Sequence, residues 1–405
     1  MRFAHLSDLH LGYRQYGLLE RALDFSKAFT DAVNQILTSD VSFVLVSGDI
    51  FHYKLPSAMA VRRVFEELGR LAEAKIPVFV LRGNHDASLA EHGGNYLHLL
   101  HDRKLAVYLE QGNPSTDLET DAGRVRIVGV GTFPESQIGD EIEKAKAFVD
   151  SEADFNIFML HQSFDKLASF KSSWPTSTGV FFDTAFDDVD YYALGHIHTH
   201  NLKHPDLPAW YPGSIESYDL TEAETHIHNM DTGAVADQAQ QPKGFLIVDI
   251  ENGKVEVESH KVPTRKMIHA IFRYGEVDPR KATDEIKDSV LKYNDEGAIV
   301  NVTVEGYVKR GCRRADLQSR LIQETLDKPL KSRVMNHLRY PSVLKTKTPS
   351  AQITPEKAIE SYYMETCSTE DAAAELSKIT MRLFDLLRRE QLDLCKRELE
   401  NAVRS

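Results

Sequence analysis

Five short segments rich in aspartate, asparagine and histidine each follow an apolar run within the first 200 residues of this 405-residue chain. They are Asp8-Leu9-His10, Gly48-Asp49-Ile50-Phe51-His52, Gly83-Asn84-His85-Asp86, His161-Gln162 and Gly195-His196-Ile197-His198. Any one of them is weak evidence, because a polar residue at a strand end usually caps a turn. No structural requirement collects so many metal-binding side chains at successive loops, so the set predicts a metal site.

The apolar runs that precede these segments predict strands, at residues 3–6, 43–46, 78–81, 155–160 and 191–194. Amphipathic stretches between them, at residues 18–37 and 58–72, predict helices. Strands that alternate with helices of this length indicate a layered α/β domain. Because open α/β sheets bind ligands at the carboxyl ends of their strands, we expect the polar segments to lie along one sheet edge.

The rest of the chain divides into three further parts. We expect the first domain to span 1–262 and to close with a hairpin at residues 243–257. A small α+β domain is expected over 265–340, with strands near 267–272, 298–304 and 333–338 and helices at 279–292 and 315–326. Residues 341–354 contain two prolines and no acid, which is typical of a linker. The region 355–405 predicts two helices, at 355–364 and 369–403.

Composition excludes few function classes. No apolar run approaches the ~18 residues that span a bilayer, and the amino-terminal residues lack a signal-peptide apolar region. The three cysteines, Cys312, Cys367 and Cys395, fit a reducing compartment, so we expect a cytoplasmic protein. The net charge of −13 decides nothing, because residues 328–347 carry six Lys or Arg and no acid, and residues 309–314 carry four more. These basic segments are either solvated faces or contacts to nucleic acid.

The mixture of carboxylate, amide and imidazole ligands, without thiolate, suits Mn²⁺, Fe or Zn²⁺. A carboxylate has two oxygens, so one aspartate can belong to two metal sites. Glycines before Asp49, Asn84 and His196 are expected to let the backbone turn sharply and bring these ligands inward.

In its order of motifs (D-x-H, G-D-x-x-H, G-N-H-D, H-Q, G-H-x-H), the chain resembles the calcineurin-like metallophosphoesterase superfamily. It also resembles the SbcD-type nucleases of double-strand-break repair, the meiotic-recombination nuclease family. That similarity extends through residues 4–13, 192–198, 211–214 and 243–245, and covers most of 1–260. The resemblance implies a sandwich of two sheets flanked by helices, with a small α+β capping domain and C-terminal helices.

The resemblance also assigns roles within the site. One metal would be held by Asp8, His10, Asp49 and His198, and the other by Asp49, Asn84, His161 and His196. Both would be manganese, and His85 would be the catalytic acid. In the related protein phosphatases an aspartate that orients this acid occupies the position of His52. The histidine here is typical of the nuclease branch, so the resemblance makes His52 a second catalytic residue. Asp86 is expected to orient or cap.

Further implications concern the activity and its partners. The resemblance implies a 3′→5′ exonuclease on double-stranded DNA, with endonuclease activity on single strands or hairpins. It also implies a homodimer and a coiled-coil ABC-type ATPase subunit. The expected DNA contacts are Tyr13, Arg14, Gln15, Lys54, Arg313 and Arg314, although those beside the metal motifs could instead pack internally. The expected ATPase contacts are Leu376, Ile379, Leu383, Leu386 and Leu387, unless that helix folds back on its own domain. Residues 51–55 and 92–100 are candidates for the dimer surface.

Two rival functions remain at this point. Another enzyme of the superfamily, such as a phosphatase or nucleotide phosphodiesterase, would share the metal motifs. Protein phosphatases show G-D-x-x-D-R-G and G-N-H-E, and neither motif is present in this chain. A binding scaffold that has lost catalysis is the second rival, but every candidate ligand is present.

Overall fold

The computed structural model describes residues 1–87, 94–110, 112–164, 179–180, 188–251, 253–341, 355–367, 369–388 and 391–404. They form two compact units, one of Met1–Ala223 with Ala239–Met267 and one of Glu224–Gln238 with Ile268–Ser405. The expected linker at 341–354 lies outside the described residues, apart from Pro341.

The first unit contains two six-stranded sheets. The strands of the first sheet are β1 (Arg2–Leu6), β2 (Phe43–Val46), β3 (Val78–Val80), β4 (Val107–Tyr108), β15 (Gly244–Glu251) and β16 (Lys254–Lys261). They lie in the order β16-β15-β1-β2-β3-β4. The strands of the second sheet are β5 (Ser115–Thr120), β6 (Gly123–Val130), β7 (Phe155–His161), β10 (Tyr191–Gly195), β11 (Leu202–Lys203) and β12 (Ala209–Tyr211). They lie in the order β11-β12-β10-β7-β6-β5. The short strands β8 (Ser163–Phe164) and β9 (Gly179–Val180) pair with each other.

The central strands are buried on both faces, which explains their nearly continuous apolar sequences. Along β1, Phe3 belongs to the core between the two sheets, whereas Ala4 and Leu6 face the helices outside. Those helices are α1 (Leu19–Ile36), α2 (Ala58–Glu73) and α3 (Tyr96–Asp102), while α4 (Glu135–Lys146) covers the second sheet. The expected sandwich of two sheets flanked by helices is confirmed.

The second unit is a five-stranded sheet with the order β14-β13-β17-β18-β19. Its strands are β13 (Glu224–Asn229), β14 (Val235–Gln238), β17 (Met267–Val277), β18 (Ile299–Val308) and β19 (Lys331–Arg339). Helices α5 (Pro279–Val290) and α6 (Ser319–Glu324) share one apolar core with this sheet. The predicted order of three strands and two helices after residue 265 is confirmed.

One expected boundary is wrong. The hairpin of β13 and β14 falls inside 1–262, yet it belongs to the second unit because β13 pairs in parallel with β17. This pairing joins residues about forty positions apart, for example His226 with Ala270. No local sequence pattern indicates a pairing over such a distance.

The C-terminal region contains α7 (Pro355–Thr366), α8 (Glu370–Arg388) and α9 (Leu392–Arg404). The single helix expected over 369–403 is therefore two helices. The N–H of Gln391 donates to the carbonyl of Leu386, five residues back, which ends α8 in the manner of a helix C-cap. Among the helices that the structure describes, none combines the length and the apolar sequence needed to span a bilayer.

Candidate metal centre

The expectation that the predicted ligands share one sheet edge is wrong, because they lie at the carboxyl ends of strands from both sheets of the first unit. Asp8 and His10 follow β1, and Asp49 follows β2. Two backbone bonds tie these loops together, from the N–H of Asp8 to the carbonyl of Gly48 (3.1 Å) and from the N–H of His10 to the carbonyl of Asp49 (2.9 Å). In the second sheet, β10 pairs with β7 in parallel up to Gly195 and His161. Parallel pairing thus brings the loops to shared edges.

The first cluster consists of Asp8, His10, Asp49 and His198. The Nε2 atoms of His10 and His198 are 3.1 Å apart. His198 Nε2 lies 3.7 Å from Asp8 Oδ1, and His10 Nε2 lies 3.9 Å from Asp49 Oδ2. These distances let one cation contact several of the four side chains.

The second cluster shares Asp49 with the first. His161 Nε2 lies 3.4 Å from Asp49 Oδ2 and 3.2 Å from Asn84 Oδ1. Asn84 Oδ1 is also 3.2 Å from His196 Nδ1. The structure therefore brings together all the side chains that the sequence proposed as ligands, with Asp49 Oδ2 common to both clusters.

The chemistry of these atoms fits a pair of cations. His161 Nδ1 contacts the carbonyl of Ser47 at 2.7 Å, and a carbonyl only accepts, so this nitrogen carries a proton. In neutral His161 the Nε2 lone pair then faces the oxygens of Asp49 and Asn84. Burial opposes charging of His161, but the Asp49 carboxylate outweighs it and raises the pKa of His161 to about 9. These electron-rich atoms repel one another unless a proton or a metal cation lies between them. As ligands, carboxylate, amide and imidazole groups suit Mn²⁺, Fe or Zn²⁺.

Several candidate ligands have a left-handed backbone conformation. The φ angles are 53° at Asp8, 44° at His10, 53° at Asp49 and 93° at His196. Such a conformation costs about 1–3 kcal/mol for a non-glycine residue and persists only where the surroundings enforce it. At His196, the backbone N–H is held by both carboxylate oxygens of Asp8, at 3.0 and 3.2 Å.

The three glycines beside the ligands serve two different purposes. Gly48 has a φ of +90°, as the expected sharp turn requires. Gly83 and Gly195 are not in this region. A Cβ at Gly83 would overlap the Asp49 carboxylate, and one at Gly195 would overlap the Ser47 carbonyl. These two glycines are needed for space rather than for a turn.

Asp86 joins two of the ligand loops. Its carboxylate accepts the backbone N–H groups of Ile50 (3.1 Å), Phe51 (2.9 Å) and Gly83 (3.1 Å). Burial, followed by the charge of Asp49, raises the pKa of Asp86 to about 7. The expected capping role is confirmed, because one side chain holds the loop after β2 against the loop after β3.

His85, the proposed acid, is fixed by its backbone and its ring. Its N–H donates to Asp49 Oδ1 (2.8 Å), and its Nδ1 lies 2.8 Å from the carbonyl of His52. That carbonyl places the ring proton on Nδ1, so Nε2 is the position for a transferable proton. The His52 ring stacks on His85, with centroids 4.8 Å apart and planes at 28°. Burial, then the neighbouring His85, lowers the pKa of His52 to about 4.

Tyr13 lies in a cluster of rings beside this pair. Its centroid is 3.9 Å from that of His52 and 4.9 Å from that of Tyr218. The Tyr218 ring is in turn 4.6 Å from both His10 and His198. Burial raises the pKa of Tyr13 to about 12, so its phenol is neutral. The internal packing left open for Tyr13 is what the structure shows, and its contact with DNA stays a prediction.

The remaining expected DNA contacts differ in exposure. The prediction that Gln15 contacts DNA is wrong, because this side chain is buried. Its amide donates to the carbonyl of Tyr218 (2.7 Å) and accepts from Arg21 (2.8 Å). Arg14 and Lys54 are exposed in the first unit. In the second unit Arg313 and Arg314 are exposed as well. For these four residues DNA contact remains a prediction.

Two residues near the site were not predicted to have a role there. His198 Nδ1 faces Glu222 Oε1 at 3.5 Å, and the other oxygen of Glu222 pairs with Lys243 at 2.9 Å. Burial raises the pKa of Glu222, but Lys243 and His198 outweigh it and lower that pKa to about 2. A single Glu at the end of a short 3₁₀ helix and a single Lys before a strand give no sequence signal beyond the Lys-Gly-Phe block at 243–245.

Comparisons with known proteins agree with this geometry. Residues 1–200, which contain every candidate ligand, match the calcineurin-like phosphoesterase family. Three relatives are each described as a DNA double-strand break repair protein Mre11. The chain is 31% identical to that of Archaeoglobus fulgidus over 65% of this chain and 60% of the relative. The identity to the Methanococcus maripaludis protein is 29% over 71% of this chain and 74% of the relative. The identity to the Haloferax volcanii protein is 28% over 75% of this chain and 61% of the relative. The matches to the Archaeoglobus and Haloferax proteins thus span about three fifths of their length.

Proposed function

We propose that the chain, whose residues 1–200 match the calcineurin-like phosphoesterase family, is a metal-dependent nuclease that acts on DNA double-strand breaks. The activity is taken from the repair proteins to which the chain is similar over 65–75% of its length. The observation that carries the proposal is the sharing of Asp49 Oδ2 by two ligand clusters, with His85 bound to the other oxygen of the same carboxylate.

The residues define what each part of the site would do. Asp8, His10 and His198 would hold one manganese ion, Asn84, His161 and His196 the second, and Asp49 would contact both. Two such cations, when bound, supply an activated water and neutralise the phosphate oxygens. His85 would donate the proton on Nε2 to the departing sugar oxygen, since its Nδ1 proton is held by the His52 carbonyl. His52 would keep the His85 ring in place through both its carbonyl and its ring.

For the cleavage polarity and the DNA substrates, we adopt what the resemblance implies. The protein would be a 3′→5′ exonuclease on double-stranded ends and an endonuclease on single strands or hairpins. The exposed Arg14 and Lys54, together with Arg313 and Arg314, would contact phosphates. Arg314 donates to the backbone carbonyl of Asn336, so this bond does not neutralise its charge. Such a guanidinium remains available to an anion.

The partners are proposed on exposed apolar surface. On α8, Leu376 and Leu387 are 40% and 52% exposed, while Ile379, Leu383 and Leu386 are half-buried. The exposed leucines of this stripe suit a coiled-coil ATPase subunit, because an amphipathic helix that leaves apolar side chains exposed can dock on another helix. In the first unit Tyr53, Leu55 and Leu99 are exposed, and we assign them to a homodimer contact. Part of the expected segment 92–100, residues 92–93, lies outside the described residues. We place the protein in the cytoplasm, associated with the nucleoid.

The test is an assay on end-labelled linear DNA with Mn²⁺, with Mg²⁺ and with a chelator. We expect Mn²⁺-dependent shortening from the 3′ ends and no reaction with the chelator. A phosphoprotein and a nucleotide phosphodiester serve as competing substrates. Intact DNA together with rapid hydrolysis of either competitor would favour the phosphatase or nucleotide phosphodiesterase alternative.

A further inference from the structure

Glu222 and Lys243 form an ion pair in the interior of the first unit. Glu222 ends the short 3₁₀ helix Leu220–Glu222, and Lys243 immediately precedes β15. Their residues are only 4% and 1% exposed, and Lys243 Nζ lies 2.9 Å from Glu222 Oε2. A buried ion pair contributes little net stability, because desolvation offsets the attraction between the charges. The position of this pair is therefore better explained by what it holds.

The pair holds His198 at two points. Glu222 Oε1 faces the ring Nδ1 of His198 at 3.5 Å, and Lys243 Nζ donates to the carbonyl of His198 at 2.9 Å. Glu222 is itself fixed by the N–H of Tyr218 (2.7 Å), and Lys243 by the hydroxyl of Ser214 (2.9 Å). With Nδ1 turned to the carboxylate, His198 presents Nε2 to Asp8 and His10.

We propose that Glu222, anchored by Lys243, is a positioning residue that selects the ring orientation of His198 and strengthens it as a ligand of the first cluster. A carboxylate on the far nitrogen of an imidazole fixes its tautomer and makes the coordinating nitrogen more basic. This inference rests on the proposed metal centre and assigns one of the two cations a dedicated anionic support.

The second cluster has a different support, which makes the inference selective. There, His161 Nδ1 donates to the backbone carbonyl of Ser47 at 2.7 Å, a neutral acceptor. Substitution of Glu222 should therefore weaken the binding of the cation held by His198 and leave the binding of the cation held by His161 unchanged. A general loosening of the fold would affect both cations.

The chain provides a matched control in Glu216. This residue is 1% exposed, lies in the same loop region and pairs with the buried Arg21 at 3.2 Å. Its carboxylate contacts Arg21 and the N–H groups of Ser217 and Arg265, none of which belongs to a candidate ligand. Glu216→Gln thus removes a buried paired carboxylate without touching the metal centre.

The experiment is calorimetric titration of the full chain with Mn²⁺, with melting temperatures measured in chelator. For Glu222→Gln we expect one of two Mn²⁺ affinities to fall about 10–100-fold, the usual effect of losing such a support. Lys243→Met, which releases Glu222, should produce the same selective loss and serves if Glu222→Gln folds poorly. Glu216→Gln should bind both ions as the wild type does, whatever its melting temperature.

Three results would overturn the inference. In the first, Glu222→Gln and Lys243→Met bind both Mn²⁺ ions with wild-type affinity. In the second, both affinities fall equally in these variants and in Glu216→Gln, which would reveal only a looser fold. In the third, wild-type protein binds no Mn²⁺, and the metal centre itself would fail along with the role of Glu222.

Discussion

The backbone N–H of His85 donates to Oδ1 of Asp49 at 2.8 Å, while Oδ2 of the same carboxylate faces both ligand clusters. The proposed acid is thereby held at a fixed position relative to the proposed metal ions. Because this bond involves the main chain of His85, the imidazole can be removed without removing the connection. That separation makes the roles of His85 and Asp49 individually testable.

Replacement of the His85 ring should abolish catalysis and preserve metal binding. His85→Ala keeps the N–H bond to Asp49 but removes the proton donor, and loss of a general acid typically costs about 10²–10⁴-fold in rate. Mn²⁺ affinity by calorimetry should match the wild type. The exposed His101 provides the control, as His101→Ala should leave the rate unchanged. Wild-type nuclease rates in His85→Ala would remove this residue from the chemistry.

A single methyl group at Gly83 should disrupt the centre. Its Cβ would overlap the Asp49 carboxylate, so Gly83→Ala must displace the ligand common to both clusters. We expect Mn²⁺ binding and DNA cleavage to be lost together, as measured by calorimetry and by the end-labelled DNA assay.

The matched control for that substitution is Gly69, in the middle of α2, where an added Cβ meets nothing within 4 Å. Gly69→Ala should keep full activity and raise the unfolding free energy by roughly 0.5–1 kcal/mol, because alanine favours helices over glycine. Normal Mn²⁺ binding by Gly83→Ala would show that Asp49 does not occupy the shared position.

Stability should fall at acidic pH partly because of His5. This side chain is buried between Tyr191 and Ser47, with hydrogen bonds of 2.9 and 3.1 Å, and burial lowers its pKa to about 3. The unfolded chain titrates near pH 6.5, so between pH 6.5 and 3 it binds a proton that the folded chain does not. Folding stability from this residue is complete above pH 6.5 and is lost as the pH falls, by about 1.4 kcal/mol per pH unit.

The measurement is denaturant unfolding of chelated protein between pH 7.5 and 4.5. His5→Gln, which cannot take up the proton, should show a shallower loss of unfolding free energy than the wild type. The exposed His337→Gln should retain the wild-type slope. Equal slopes in all three proteins would mean that His5 is not held neutral by the fold.

The apolar stripe of α8 should be required for binding of the proposed ATPase partner and not for the proposed nuclease activity. Leu376→Asp combined with Leu387→Asp places two charges on exposed positions, so the fold should tolerate them while a hydrophobic contact would not. We expect co-purification with the coiled-coil ATPase of the same organism to be lost and basal DNA cleavage to persist. Leu291→Asp, at a position 56% exposed elsewhere in the second unit, controls for added charge. Undiminished co-purification of the double variant would refute the contact.

The candidate ligands were predictable because their signal is local. Asp8 and His10, Asp49, Asn84, His161, and the pair His196 and His198 each follow or end an apolar strand segment. Parallel strands align their carboxyl ends, so strand position predicted that the side chains after β1, β2 and β3 would meet, and likewise those after β7 and β10. The packing of the two sheets against each other brought these two groups together. The strands β17, β18 and β19 and the helices α5 and α6 of the second unit were predictable for the same reason, since each has its own hydrophobic period.

Only the tertiary structure decided which residues support the ligands. Gln15 reads as a polar loop residue beside a metal motif, yet it bonds to Tyr218, 203 positions away. Glu222 reaches His198 and Lys243 across loops, and β13 joins the second sheet by pairing with β17. Such contacts depend on how distant loops fold together, and a single side chain carries no periodic signal of its partner. Spacing along the chain therefore determined the candidate ligands, whereas packing in space determined which residues hold them in place.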